Sequence, residues 1–207
     1  ETGLDPNGDC HSEDDWNMVK IITKQLNLPV KLVNFAEEYW QSVFKQSLQD
    51  YAKHMTPNPD ILCNREIKFS ALQRFIIREG FDYLATGHYA TVTQINGNYL
   101  LEQALDENKD QTYFLCALNQ TQLSRSLFAL GSLYKREVRS IAQHIQLANS
   151  NRKESMGICF VEPNNFKTFL QQYIPKSPGE IATTDGIVLG THDGLPFYTI
   201  GQRQGLG

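Results

Sequence analysis

With 207 residues, 41% of them hydrophobic and 20% charged, the chain is long enough to bury a core and too apolar to be a disordered tail. Nineteen basic against 23 acidic side chains leave a net charge of −4, which argues against a uniformly basic surface but not against a local basic face. No apolar run approaches the ~20 residues of a membrane helix, no signal-peptide pattern opens the chain, and four widely spaced cysteines favour free thiols in a reducing compartment over a disulfide scaffold.

Ser12 followed by Glu13, Asp14 and Asp15 predicts a helix start, and Met18, Ile22 and Leu26 recur along one face until Pro29 stops the helix. Val30 to Phe35 reads as a strand. A second helix follows, with Trp40, Val43, Phe44, Ser47, Leu48 and Tyr51 on one stripe. Met55 to Asn64, rich in Pro and Asn, reads as a loop, and a third helix begins near Arg65 and ends at Gly80. Asp82 to Thr86 reads as a short buried strand closed by Gly87-His88. This alternation predicts an α/β domain with a parallel sheet, where ligands bind beyond the carboxyl ends of strands. Gly87-His88 stands at such an end.

Asn96-Gly97 between two β-type runs predicts a hairpin. Helices are expected near Thr121–Phe128, Lys135–Leu147 and Asn164–Tyr173, followed by short strands and turns around Asp185-Gly186 and Asp193-Gly194. A boundary falls near Glu162–Asn165, dividing the chain into 1–163 and 164–207. The closing run Gly201 to Gly207 reads as a cut end.

Chemistry is concentrated in a few places. Cys63 follows Asn58-Pro59-Asp60. A thiol there is either a nucleophile with a carboxylate to manage protons, activated by a helix N-terminus or by Arg65 and Lys68, or a small buried apolar group beside a turn. Cys159 lies in an apolar run after Gly157, where an ordinary core strand is the favoured reading on the residues alone. Cys116 reads as core, and Cys10-His11 lacks the spacing of a zinc site. Gly87 and His88 suit a nucleotide pocket or a structural turn. Lys109-Asp110-Gln111 suits phosphate contact with base stacking, or a helix start capped by Asp110. No phosphate-binding glycine loop is present in the sequence.

Five stretches, in order and spanning nearly the whole chain, resemble the tRNA-specific 2-thiouridylases: Thr56 to Phe69, Ala85 to Ala90, Lys109 to Leu115, Ser155 to Phe160, and Tyr198 to Gly207. The resemblance implies an adenine-nucleotide α-hydrolase-like (PP-loop ATPase) α/β domain lacking its first strand and its S-G-G-x-D-S loop, plus part of a small, mostly β central domain that binds tRNA. It implies ATP, with Mg2+, adenylating O2 of the wobble uridine. It further implies a persulfide on Cys159 supplied by a donor protein (a cysteine desulfurase or a relay protein), a disulfide between Cys63 and Cys159 that frees the sulfur, and Asp60 as general acid or base. Asn58, Pro59 and Asp60 would face the target base; His88, Lys109, Asp110 and Gln111 would touch tRNA; Gly87 would line the ATP site. A cytoplasmic enzyme is expected, with no membrane association and no resident metal, and this chain by itself is expected to be inactive. Two other readings stay open: a PP-loop ligase acting on a small molecule, and a non-catalytic tRNA-binding module.

Overall fold

The computed structural model describes residues 11–152 and 166–203. Helix α1, His11–Gln25, carries Glu13 and Asp14 in its first turn and Lys24 in its last, matching the helix dipole at both ends. Asn27 ends it with a left-handed backbone (φ 52°), and the Leu28 amide donates back to the Thr23 carbonyl.

The expected strand at Val30 to Phe35 does not form: residues 29–35 have no regular secondary structure and pair with no strand among the described residues. Side chains hold the segment instead. Lys31 pairs with Glu79 at 2.5 Å and lies over the Phe75 ring, which Phe35 meets edge-on.

Helix α2 runs through Ala36–Tyr39, a wide π turn at Trp40–Phe44, and Lys45–Ala52. It buries the predicted stripe at Val43, Phe44, Ser47 and Tyr51. Helix α3 is likewise continuous through Pro59–Leu62, the π-wound Cys63–Leu72, and Gln73–Arg78, until Gly80 (φ 90°) turns the chain. Strand β1, Leu84–Thr86, follows. Strands β2, Thr91–Ile95, and β3, Asn98–Glu102, form the predicted hairpin, with positive φ at both Asn96 and Gly97.

Helix α4 is short, Gln120–Leu123, and opens with a capping box between Asn119 and Gln122. The expected helix does not continue to Phe128. Ser126–Phe128 is strand β4, paired parallel to β1 with Leu84 opposite Ser126 and Thr86 opposite Phe128. Helix α5, Lys135–His144, follows, then α6, Phe166–Leu170, and the antiparallel pair β5, Gly179–Ala182, with β6, Val188–His192.

Two apolar cores result. Phe69 of α3 packs with Leu84, Ala90 and Leu115 beneath the parallel pair. Tyr51 of α2 packs with Leu170, Ile174 and Phe197, so the C-terminal segment closes over α2. Full burial of Leu170 stabilises that closure by about 1.5–3 kcal/mol.

Candidate functional site

The start of α3 differs from the sequence expectation. Asn58 caps it, its side-chain oxygen accepting from the Asp60 amide at 3.1 Å. Pro59 occupies the first helical position, where its missing N–H costs nothing. The helix therefore begins about six residues before Arg65, and Pro59 starts it rather than preventing it. Cys63 is half-buried in the second turn, not on a loop ahead of the helix. The helix's positive end thus acts on it through one intervening turn.

From Cys63 onward the winding widens, and two side-chain amides tie it to its surroundings. Asn64, 1% exposed, donates from Nδ2 to the Phe114 carbonyl at 3.0 Å. Gln122 donates from Nε2 to the Arg65 carbonyl at 2.8 Å. Gln73 in turn donates to the Gln122 carbonyl. The thiol-bearing turn is thereby tied to the segment that follows Lys109-Asp110-Gln111.

A cleft of about 470 Å3 opens beyond the carboxyl end of β1. Lys68 of α3, Thr86, Gly87, His88 and Gln111 line it, over a floor that includes Leu72 and Leu84. Gly87 contributes backbone alone to this lining; a Cβ there would make an ordinary contact with Leu130 Cδ1, at 3.8 Å. His88 shares a 2.8 Å hydrogen bond with Thr86 Oγ1 through Nδ1 and packs against Phe69 and Phe128. Gln111 is fixed by a reciprocal pair, its Oε1 accepting from the Tyr89 amide at 3.0 Å and its own amide donating to the Tyr89 carbonyl at 2.8 Å.

Burial, and next the nearby Lys68 charge, push the His88 ring down to about 4. The ring is therefore neutral near pH 7. An unfolded chain takes up that proton near pH 6.5, so the fold's stability is full above pH 6.5 and falls as pH drops toward 4, by on the order of 3 kcal/mol. Urea unfolding at pH 7 and pH 4.5 checks this: His88→Gln should flatten the acid loss, and an unchanged loss would contradict it.

Asp110 is engaged locally. One carboxylate oxygen accepts from the Ala104 amide at 2.9 Å, and the other accepts from the Thr112 amide and hydroxyl. It shapes the turn that presents its neighbours Lys109 and Gln111. Asp106, 9% exposed, accepts from the Lys135 amide at 2.9 Å and joins this turn to α5.

Of the residues singled out from the sequence, Gly87, His88 and Gln111 meet in the cleft. Asn58, Pro59, Asp60 and Cys63 gather on the first turns of α3, outside its wall, and Lys109 and Asp110 stand on the turn before Gln111. Cys159 and Cys10 lie outside the described residues. Cys116, expected in the core, is exposed. Sequence reasoning missed Lys68 as a cleft residue, and Asn64 and Gln122 as ties. Lys68 carried a usable signal, since it stands five residues after Cys63, one turn of a π winding. Among the described residues no three His, Cys, Asp or Glu side chains gather as a metal site, and no helix is long and apolar enough to cross a membrane.

Two family models match. One, described as a tRNA methyl transferase HUP domain, covers residues 1–163, and a second, a tRNA methyl transferase PRC-barrel domain, covers 167–207. The chain is 52% identical over 203 residues to the tRNA-specific 2-thiouridylase MnmA of Halalkalibacterium halodurans, covering 98% of this chain and 55% of that protein. The proteins of the same name from Bacillus velezensis and Bacillus subtilis are 51% and 49% identical, with the same coverage. The chain thus spans about half the length of the curated relatives it matches. The HUP match agrees with the α/β reading and with the parallel pairing of β1 and β4.

Proposed function

Because the chain belongs to the tRNA-specific 2-thiouridylase family, we propose that it carries the nucleotide cleft and two working thiols of an ATP-dependent tRNA sulfurtransferase. The observation that carries this reading is the cleft beyond β1, which Gly87 and a neutral His88 border and into which the Cys63-bearing helix contributes Lys68. An open parallel-sheet end with a small residue and a single cation suits a mononucleotide. Sulfur transfer, the chemistry named for the relatives, suits this chain better than the methyl transfer of the domain names, because Cys63 and Cys159 offer two thiols for sulfur chemistry.

Bound ATP would supply an adenylyl group that makes O2 of the wobble uridine a leaving group, with Mg2+ arriving on its phosphates. Gly87 lets the nucleotide approach the backbone. Asn58 and Pro59 face the flipped base, and Asp60 moves the proton, while His88, Lys109 and Gln111 hold tRNA, on a turn that Asp110 shapes and whose outer face Asp110 shares. The uridine leaves its stack to enter, at a cost of about a few kcal/mol.

The sulfur step balances as follows. The outer sulfur of a Cys159 persulfide bonds to C2 as AMP departs. The Cys63 thiolate then attacks the Cys159 sulfur, breaking the S–S bond; the electron pair stays on the sulfur attached to C2, and a Cys63–Cys159 disulfide forms. A two-electron thiol reductant resets the pair. The alternative order, in which Cys63 releases hydrosulfide before attack on C2, uses the same disulfide. The persulfide comes from a donor protein, and a cytoplasmic setting fits the need for that reductant.

Transfer RNA incubated with a persulfide donor and a protein of the relatives' length carrying this sequence should gain 2-thiouridine only when ATP is present. Product without ATP would reject the reading. The 207-residue chain by itself is expected to show no ATP–pyrophosphate exchange, and robust exchange would contradict that.

A further inference from the structure

Most lysines with a described role already face a counter-group. Lys31 pairs with Glu79, Lys167 and Lys176 pair with Asp193, and Lys135 lies over the Tyr89 ring. Lys68 differs. It is partly buried, it lines the cleft, and it has no carboxylate partner among the described residues. Among the described residues no acidic side chain lines the cleft with it. An ammonium that borders a cleft without a carboxylate beside it is available to pair with an anion that enters.

We propose that Lys68 is the phosphate-binding group of this cleft and pairs with the α-phosphate of an adenine mononucleotide; the assignment rests on the nucleotide reading above. A cleft of about 470 Å3 has room for one mononucleotide. Gly87 adds no side chain to the lining. His88 remains uncharged in the same cleft, so Lys68 supplies its positive charge. The i→i+5 winding places Lys68 one turn beyond Cys63, so the departing phosphate would be held one helical turn from the thiol. Asn64, reaching out to Phe114, and Gln122, reaching in to Arg65, tie the backbone of that turn to the segment around 114–122.

The test is calorimetric titration of a protein of the relatives' length, at fixed ionic strength, with AMP and with adenosine. The wild type should bind AMP about tenfold more tightly than adenosine, the worth of one charge-assisted contact to phosphate. Lys68→Gln should bring AMP down to the adenosine level and leave adenosine unchanged. Lys68→Arg should restore most of the preference, and tRNA affinity should stay within about twofold in both variants. Three results overturn the assignment while sparing the nucleotide reading: an AMP preference that survives Lys68→Gln, an equal loss of AMP and adenosine, or weakened tRNA with AMP unchanged. A wild type that binds neither AMP nor adenosine overturns both.

Discussion

Replacing Gly131 by alanine should destabilise the chain by about 3 kcal/mol or more, lowering its thermal midpoint by roughly 6–12 °C. The cause is local and steric. A Cβ at Gly131 would lie 1.9 Å from the Ala90 carbonyl oxygen and 2.5 Å from Thr91 Oγ1. A backbone oxygen cannot swing aside as a side-chain tip can. Ala90 is fully buried, and the Gly131 carbonyl accepts from the Leu105 amide at 2.8 Å, so neither side of the clash can retreat. Gly190 provides the control: nothing stands within 4 Å of its Cβ position, and Gly190→Ala should change stability by no more than about 0.5 kcal/mol. Differential scanning calorimetry of the two variants separates the cases. Equal midpoints would mean that the crossing of residues 90 and 131 is looser than described. The crossing also sits directly after Gly87-His88, so a partly folded Gly131→Ala protein should lose cleft binding first.

Cys63→Ser should abolish 2-thiouridine formation, by at least about a thousandfold, with little effect on folding. Serine keeps the shape of a half-buried side chain on the second turn of α3, and the ties from Asn64 and Gln122 do not involve the thiol. Its hydroxyl neither attacks a sulfur at neutral pH nor forms a disulfide. The readout is nucleoside mass spectrometry of tRNA after incubation with ATP and a persulfide donor, beside the calorimetric midpoint. Retained thiolation in Cys63→Ser would remove the second thiol from the mechanism. Retained turnover of a small acceptor without tRNA would favour a small-molecule ligase instead. For a non-catalytic tRNA-binding module, neither variant nor ATP would matter.

The elements legible in the sequence are those whose signals are local. Asn96-Gly97 specified its hairpin because both residues tolerate positive φ, and Gly80 and Asp185-Gly186 marked turns for the same reason. Gly87-His88 at a strand end located the cleft, because strand ends in parallel sheets are where such clefts open. Strand β4 was hidden: three residues are too few to carry a period, and they were read as the end of a helix over Thr121–Phe128 that stops at Leu123. Val30 to Phe35 has strand composition, but pairing is a property of two segments, and no described neighbour pairs with it. The prolines before Cys63 suggested a loop where one of them starts a helix. Asn64 and Gln122 were invisible because each acts across 50 residues or more, at the Phe114 and Arg65 carbonyls. Lys68 was noticed as a charge near Cys63, yet only the wide winding and the cleft give it a place.

The most direct measurement is a non-reducing peptide map after a single turnover, with persulfide-loaded protein of the relatives' length, ATP and tRNA, no reductant, and rapid alkylation of remaining thiols. The expected result is a disulfide-linked peptide pair containing Cys63 and Cys159, in about equal amount to the 2-thiouridine formed. New 2-thiouridine accompanied by a fully alkylated Cys63 would contradict a shared redox role for these two sulfurs.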